Sequence, residues 1–343
     1  MLKRNPIPLL TALTLLMVSA CQKLESLDIV TTHSLTEAPV GFPPILFPKD
    51  NSFTVARWEL GKKLFYDNIL SLDQSISCSS CHKASLAFSD EVKFSDGIMQ
   101  RAGVRNSPTL ANVAYHPYFT REGGISTLEK QVLVPLQEHN EFGFNILLAG
   151  ERLNRDSLYK QMSRNAYGRE PDYFVITRAL ATFERTLVSG NSRYDQYHYQ
   201  GDPMALNPEE KAGMNLFFSK KTNCSSCHSG FNFTNYGFEN NGLYLQYKDS
   251  GRMRLTGLED DRAKFKVPTL RNIEKTAPYM HDGSFETIEA VIDHYNKGGM
   301  KHQNQNSLIR PLGLTNIEKQ QLASFLRSLT DETFINQAKF KNN

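Results

Sequence analysis

The sequence predicts a mainly α-helical protein in which one structural module is used twice. Two copies of the pentapeptide Cys-Ser-Ser-Cys-His, at 78–82 and 224–228, mark the two modules. Further downstream the tripeptide Pro-Thr-Leu at 108–110 returns at 268–270, an offset of 160. Helix-start signals and amphipathic spacing along the chain predict helices in both modules, which is why the fold class is mainly α.

Other segments extend the internal repeat. Upstream of each pentapeptide, a glycine precedes a Leu-Phe pair by three residues, at 61–65 and at 213–217. At the offset of 160, Thr-Leu-Glu at 127–129 falls on Thr-Ile-Glu at 287–289. So many ungapped matches indicate a duplicated module. The length of 343 residues suits two domains, and we place them at 51–200 and 201–343.

Several segments carry specific helix signals. Asn207-Pro208-Glu209-Glu210 combines an N-cap residue, a proline in the first turn and acidic residues at the positive end of a helix dipole. Thr315 and Glu318 have the spacing of a capping box. One long amphipathic helix is predicted from the apolar residues Ile176, Leu180, Phe183 and Leu187. The Gly- and Asn-rich stretch 230–257 predicts a loop with short strands.

The pentapeptide is the attachment signature of a c-type haem. Both thiols of each copy would bond covalently to the haem, and the adjacent histidine would bind the iron. The six residues concerned are Cys78, Cys81, His82, Cys224, Cys227 and His228. The alternative is a pair of zinc sites with further ligands elsewhere. It is disfavoured because the chain has five cysteines and only one lies outside the two motifs.

The first 20 residues predict a lipoprotein signal peptide. Lys3 and Arg4 precede an apolar stretch at 9–18 that is too short to span a bilayer. Val18-Ser19-Ala20-Cys21 resembles a lipobox, in which Cys21 is lipidated and becomes the new N-terminus. The alternative is an ordinary cleavage site beside a coincidental cysteine. We expect an exported protein, in the periplasm or cell envelope, with 21–50 as a tether to a membrane surface.

The charge balance argues against nucleic acid as a partner. The formal net charge is +3, and removing Lys3 and Arg4 with the leader leaves +1. The composition, 40% hydrophobic and 22% charged, is that of an ordinary globular protein.

Six motifs together resemble the bacterial dihaem cytochrome c peroxidase and MauG family. They are LGKKLFYD, RNSPTLAN, LEKQ, VPTLRN, APYMHDG and TIE, spread over residues 60–289. The resemblance implies two cytochrome c-like helical domains, each with one covalently bound haem. It further implies a high-spin, peroxide-reactive haem in the N-terminal domain and a six-coordinate electron-transfer haem in the C-terminal domain.

The resemblance also implies a set of catalytic residues around the N-terminal haem. Glu141 matches the carboxylate that moves a proton between the two peroxide oxygens. Gln131 matches a glutamine that orders the same pocket, Pro108 a residue that lines it, and Arg105 an arginine near the haem. Local sequence alone leaves Glu141 and Gln131 as ordinary surface residues, so their roles depend on the resemblance.

Tyr295 falls where the family places the second axial ligand of the C-terminal haem, opposite His228. Its side chain should point inward, because it shares one helical stripe with Ile288, Val291 and Ile292. It could instead be a core tyrosine with a hydrogen-bonded hydroxyl. The other possible ligands are Met280, His294, Met300 and His302.

A calcium ion between the haems is the last implied cofactor. Its protein ligands fall on Asn106, Thr276 and Pro278, the last two through backbone carbonyls. Oxygen donors suit this hard ion. The alternative is three loop residues with ordinary turn roles.

Two departures from the family pattern affect the haems. Arg121 takes the position of a tryptophan that usually lies between them, and the single tryptophan of the chain is Trp58, far upstream. The stretch 95–101 lacks the histidine that blocks the N-terminal iron in many members, although Met99 could substitute for it. We therefore expect no aromatic relay and an open N-terminal iron.

These observations favour an enzyme that reduces hydrogen peroxide with electrons from a small cytochrome or cupredoxin. One alternative is a MauG-like, peroxide-dependent oxidation of a protein substrate. Another is a dihaem electron carrier or sensor without turnover. Glu141 and the missing histidine count against the carrier, which would normally close both irons. A homodimer is possible by analogy with the family.

Overall fold

The computed structural model describes residues 35–342, and its regular structure is predominantly helical, which confirms the predicted fold class. The signal peptide and Cys21 lie outside the described residues. The helices up to residue 198 are α1 Val55–Tyr66, α2 Cys78–Cys81, α3 Leu128–Gln131, α4 Leu133–Gln137, α5 Ile146–Leu153, α6 Ser157–Tyr167, α7 Tyr173–Arg185 and α8 Arg193–His198. Across residues 35–342, no helix is both long enough and apolar enough to span a membrane.

The helices that follow are α9 Pro208–Phe217, α10 Cys224–Cys227, α11 Met253–Thr256, α12 Ile288–Lys297, α13 Asn316–Arg327 and α14 Glu332–Asn336. Two short strands, β1 Phe238–Glu239 and β2 Phe265–Lys266, pair antiparallel, with Phe238 opposite Lys266. Strand β1 lies in the stretch predicted to be a loop with short strands.

The predicted helix starts are confirmed. Asn207 caps α9, where its side chain accepts a hydrogen bond from the Glu210 N–H and the Glu210 carboxylate accepts one from the Asn207 N–H. Thr315 and Glu318 form the same reciprocal pair at the start of α13. Both ends therefore satisfy N–H groups that have no partner within the helix.

The same close helix crossing builds both modules. Helix α1 packs on α7, and α9 packs on α13. A Cβ added to Gly61 would lie 2.0 Å from the Ala179 carbonyl oxygen, and one added to Gly213 would lie 1.9 Å from the Gln321 carbonyl oxygen. Only glycine permits this approach, which explains why the residue recurs three positions before the Leu-Phe pair in each module.

Three clusters of buried apolar side chains form within residues 35–342. The two larger ones surround the two helix crossings, and each includes residues from both sides of the boundary predicted at 200/201. Phe334, Ile335 and Phe340 at the end of the chain pack into the N-terminal core. Tyr194, before the boundary, packs into the C-terminal core. The final segment thus returns to the first module, which a boundary drawn from the repeat could not reveal.

The described part of the predicted tether, 35–50, packs against the body of the protein. Leu35 is buried in the N-terminal core. The Phe42 ring lies 4.7 Å from that of Phe231 and 6.2 Å from that of Tyr199, centroid to centroid. These residues are therefore packed and do not form a free tether. The sequence did not predict this packing, because the buried apolar side chains follow no periodic pattern.

Candidate haem sites and active site

Each pentapeptide forms one helical turn that places its two cysteines and its histidine together. The His82 N–H donates to the Cys78 carbonyl over 3.0 Å, and the His228 N–H donates to the Cys224 carbonyl over 2.9 Å. Residues three and four apart share one face of such a turn. None of these four cysteines forms a disulfide within residues 35–342.

Both histidines are prepared for metal binding in the same way. The Nδ1–H of His82 donates to the Phe88 carbonyl over 2.9 Å, and that of His228 donates to the Phe233 carbonyl over 3.1 Å. This leaves the Nε2 lone pair of each ring available to a metal and fixes the ring orientation. Burial lowers the pKa of both imidazoles, which favours the neutral, ligating form. These residues fit a covalently bound haem.

A cavity of about 290 Å³ opens beside the second pentapeptide. His228, Cys224 and Cys227 line one side of it, and Tyr295 on α12 is also part of its wall. Its apolar lining includes Phe217, Leu270, Ile288, Val291, Ile292 and Leu322. Within the described chain, no group of three or more His, Cys, Asp or Glu side chains is arranged to hold a metal ion.

Tyr295 faces the cavity, as its helical stripe predicts. Burial raises the pKa of its phenol to about 12, and a hydrogen bond with the Asn241 side chain acts in the opposite direction. A metal would have to displace the phenolic proton to bind there. The ligand role of Tyr295 stays a prediction.

The structure reduces the number of competing ligands. His294 Nε2 donates to the Asn241 carbonyl over 2.9 Å, and His302 Nδ1 accepts from a backbone N–H two residues downstream. The Met300 side chain is 57% exposed. Met280 lines the cavity, with its sulfur accepting a hydrogen bond from Asn241 over 3.2 Å. Of the four, Met280 is the one that the cavity admits.

Glu141 lies near the first pentapeptide. Its N–H donates to the Glu138 carbonyl, and its own carbonyl accepts from the Ile98 N–H over 2.9 Å. Glu141 is an exposed residue, yet desolvation of its carboxyl by the surrounding protein raises the pKa to about 7, and the Glu138 carboxylate adds to the shift. The Glu141 charge in turn contributes to the raised pKa of the Cys78 and Cys81 thiols, which places the carboxylate near the haem-binding thiols.

The other predicted catalytic residues take different positions. Gln131 ends α3, and its Oε1 is buried without a hydrogen-bond partner among residues 35–342. The Pro108 backbone interacts with the His82 imidazole, on the side of the pentapeptide. Pro108 also lines the second cavity.

Arg105 takes part in an ionic contact that joins the two domains. Its guanidinium contacts Glu122 over 2.5 Å and Asp249 over 2.7 and 3.0 Å. Glu122 also pairs with Arg254. Arg105 therefore links the domains through Asp249 in the arrangement seen here.

Met99 is not directed toward the interior. It is 59% exposed, and its sulfur accepts a hydrogen bond from Arg101 over 3.2 Å. The loop at 95–101 thus presents a surface methionine in place of a buried ligand.

The structure also reveals a buried carboxyl that the sequence analysis missed. Glu184 on α7 is 9% exposed, and burial raises its pKa to about 8. Its charge influences the Cys78 thiol. The available signal was its spacing, because Glu184 lies four residues after Leu180 and three before Leu187, on the face of the predicted amphipathic helix.

The predicted calcium ligands and Arg121 share the wall of the second cavity. Asn106, Thr276 and Pro278 all line it, as does Arg121. The Arg121 Nη2 donates to the Asn106 backbone carbonyl over 2.6 Å and approaches Asn106 Oδ1 at 3.4 Å. Both Asn106 oxygens therefore already face the guanidinium of Arg121. The site does not fit the calcium ion that the family resemblance implies.

Trp58 lies in the N-terminal core, so it does not replace the missing relay. It is 3% exposed, and its Nε1–H donates to Thr186 Oγ1 over 2.9 Å. This contact fixes α1 to the end of α7.

Two histidine-capped CSSCH turns, each in its own helical module, define a c-type cytochrome with two haem-binding domains. Residues 55–203 match the family model described as di-haem cytochrome c peroxidase. The chain therefore belongs to the di-haem cytochrome c peroxidase and MauG family, and it is an oxidoreductase of the cytochrome-c peroxidase type with two haem c groups.

Individual relatives support this placement. The chain is 36% identical over 289 residues to the methylamine utilization protein MauG of Methylorubrum extorquens, covering 83% of this chain and 81% of that protein. It is 36% identical over 240 residues to the cytochrome c551 peroxidase of Nitrosomonas europaea, covering 68% and 71%. A crystal structure of a MauG-like protein associated with microbial copper homeostasis matches with a TM-score of 0.85 and 33% identity, over 89% of this chain and 98% of that one.

Proposed function

We propose that the protein is an exported peroxidase that reduces hydrogen peroxide to water with electrons from a small cytochrome or cupredoxin. The observation that carries the proposal is the Glu141 carboxyl, whose pKa is about 7 and whose charge acts on the thiols of the first pentapeptide. A relative named cytochrome c551 peroxidase supports the same substrate and donor class.

Glu141 would move the proton that peroxide cleavage requires. The haem supplies an iron position at which peroxide can bind. With a pKa of about 7, Glu141 is partly ionised near neutral pH, so it can accept a proton from one peroxide oxygen and donate it to the other. The unpartnered Oε1 of Gln131 would accept a hydrogen bond that orders this pocket.

His228 and Tyr295 would be the protein ligands of the second haem iron. His228 Nε2 is available, and Tyr295 lines the same cavity. An anionic phenolate favours ferric over ferrous iron, whereas methionine raises the potential. Such a site would store an electron poorly at ordinary donor potentials.

This property favours a second candidate function, the peroxide-dependent oxidation of a protein substrate. The 36% identity to MauG supports it alongside Tyr295. With Arg121 in place of the tryptophan, oxidising equivalents would remain closer to one site. A dihaem carrier or sensor without turnover is the third candidate, and Glu141 and the lack of a histidine at 95–101 count against it.

The anchor and the assembly state complete the proposal. Lipidation at Cys21 would hold the protein on a membrane surface at the periplasmic side or elsewhere in the cell envelope. The protein could act there as a homodimer. Labelling with a radioactive or alkyne-tagged fatty acid, compared between the wild type and Cys21→Ser, tests the anchor directly.

A stopped-flow experiment separates the three functions. The purified ferric protein is mixed with peroxide while the Soret band is followed, first alone and then with a reduced small cytochrome. A peroxidase changes spectrum and consumes the reduced cytochrome. A protein-oxidising enzyme changes spectrum but consumes little of it. An unchanged Soret band in both arms contradicts the proposal and leaves the carrier.

A further inference from the structure

We propose that the guanidinium of Arg121 replaces the calcium ion that the family resemblance implies between the two haem sites. The junction between the domains then carries a cation that belongs to the chain itself. The protein should therefore be independent of calcium.

Both oxygens of Asn106, one of the three expected calcium ligands, are already hydrogen-bonded. Arg121 Nη2 contacts the Asn106 carbonyl oxygen at 2.6 Å and lies 3.4 Å from Asn106 Oδ1. Calcium requires six to eight oxygens at about 2.3–2.6 Å. An ion placed against Asn106 would have to displace the guanidinium, because both cannot occupy the same side of these oxygens.

The surroundings hold Asn106 in this orientation. Its amide NH₂ donates to the Val92 carbonyl over 3.2 Å, which turns the side-chain oxygen toward Arg121. Its backbone N–H donates to the His281 carbonyl over 3.0 Å. The residue is only 6% exposed, so water has little access to compete for these groups. The acceptor geometry is thus fixed from two other directions.

Arg121 reaches across the junction as a bound ion would. Its side chain contacts Asn106 in the N-terminal domain. Its backbone carbonyl accepts a hydrogen bond from the Lys266 N–H, in strand β2 of the C-terminal domain, over 2.6 Å. A guanidinium offers several directed donors, which suits it to bind carbonyl and amide oxygens at once.

The local charge also disfavours a divalent ion. Three acidic side chains act electrostatically on Arg121, and two of them are paired, since Arg105 contacts both Glu122 and Asp249, and Arg254 contacts Glu122 as well. The third is Asp282, whose Oδ1 is buried without a hydrogen-bond partner among the described residues. Lys266 contributes a further positive charge close to Arg121, so the single charge of Asp282 would balance only half of a calcium ion placed beside these cations.

The guanidinium of Arg121 keeps a buried N–H group that no protein atom within residues 35–342 accepts. Its Nε is buried and has no hydrogen-bond partner among the described residues, while the side chain lines the haem cavity. A carboxylate of the bound haem would be a suitable acceptor for this N–H group. The guanidinium would then connect Asn106 to the cofactor.

Metal analysis of the purified holoprotein tests the proposal. We expect inductively coupled plasma mass spectrometry to find two iron atoms per chain and calcium far below one ion per chain. Treatment with EGTA, and addition of calcium chloride, should leave the absorption spectrum and the melting temperature unchanged. One calcium ion per wild-type chain that survives gel filtration overturns the proposal, and so does a fall in melting temperature with EGTA.

A pair of variants locates the effect at Asn106. Arg121→Met removes the guanidinium and frees both oxygens, so calcium should now raise the melting temperature of this variant but not of the wild type. Arg254→Met is the matched control, because it removes one positive charge from the same junction without touching Asn106. A calcium response of equal size in both variants, or none in a folded Arg121→Met, contradicts the assignment. If Arg121→Met does not fold, the wild-type metal content decides.

Discussion

The two haem modules are alike at the CSSCH turn and differ in residues away from it. In both, a CSSCH turn ends in a histidine whose Nδ1–H donates to a phenylalanine carbonyl, at 2.9 Å in the first module and 3.1 Å in the second. Away from the pentapeptides the residues diverge. The first module has Glu141, with a pKa of about 7, and the second has Tyr295, with a pKa of about 12.

This difference indicates how a duplicated scaffold divides its work. The helix crossing, the attachment turn and the oriented imidazole recur because each module must hold the same cofactor. Residues away from the attachment turn, such as Glu141 and Tyr295, are free to differ between the modules. A carboxyl that titrates near neutral pH suits proton transfer, whereas a phenol that keeps its proton in water suits a site where a metal can displace it.

The largest expected effect comes from removing one haem at a time. Cys78→Ala with Cys81→Ala should lower the intact mass by one haem and abolish the reaction with peroxide. Cys224→Ala with Cys227→Ala should lower the mass equally but keep the reaction of the ferric protein. Mass spectrometry and the Soret response measure both. If the second pair abolishes the peroxide reaction as well, the modules do not divide the work as described.

Glu141→Gln should slow peroxide cleavage by about 10²–10⁴-fold while haem content stays constant. The amide keeps the size of the side chain but cannot accept the proton. Glu138→Gln is the control, since it removes a neighbouring charge and leaves Glu141 in place. Stopped-flow rates that are equal in Glu141→Gln and the wild type would exclude Glu141 from the chemistry.

Tyr295→Met should raise the reduction potential of the second haem, because a thioether favours ferrous iron relative to a phenolate. Its absorption spectrum should become that of a His/Met cytochrome. Met280→Leu should leave both properties unchanged. A redox titration of each variant decides between the two residues, and a change only in Met280→Leu would assign the ligand to the methionine.

Gly61→Ala and Gly213→Ala should each lower the free energy of unfolding by about 1–3 kcal/mol through overpacking. The new methyl would lie 2.0 or 1.9 Å from a carbonyl oxygen and push the crossing helices apart. Gly150→Ala is the milder comparison, since its nearest neighbour lies 3.2 Å away. Denaturant titration measures all three, and a neutral result in one module alone would show that the crossings are not equivalent.

The smallest effect concerns pH. If Glu141 acts as the base, the cleavage rate should rise as pH passes through about 7, and Glu138→Gln should shift this profile to lower pH because one source of the raised pKa is removed. The raised pKa of Glu141 also predicts how the stability of the fold depends on pH. The contribution of Glu141 is complete below its unfolded pKa of 4.5 and is lost as pH rises through about 7. A rate independent of pH in this range contradicts the assignment.

Local patterns account for what the sequence predicts well. The caps at 207–210 and 315–318, the pentapeptides and the stripe that turns Tyr295 inward depend on residues within a few positions of each other. The contacts that escaped prediction join distant residues. Arg121 meets Asn106 only after the loops fold, and Glu184 becomes buried only when α7 packs in the core. No periodic pattern encodes the contact between Arg121 and Asn106, whereas Glu184 shares the helical stripe of Leu180 and Leu187 and its residue type concealed the burial.

The return of the chain's end to the first module has a consequence for the order of assembly. Synthesis delivers 78–82 early and Phe334, Ile335 and Phe340 last. Until those three side chains arrive, the first core lacks part of its apolar filling, and its thiols remain easier to reach. The first module to be synthesised therefore completes its hydrophobic core only when the last residues of the chain are in place.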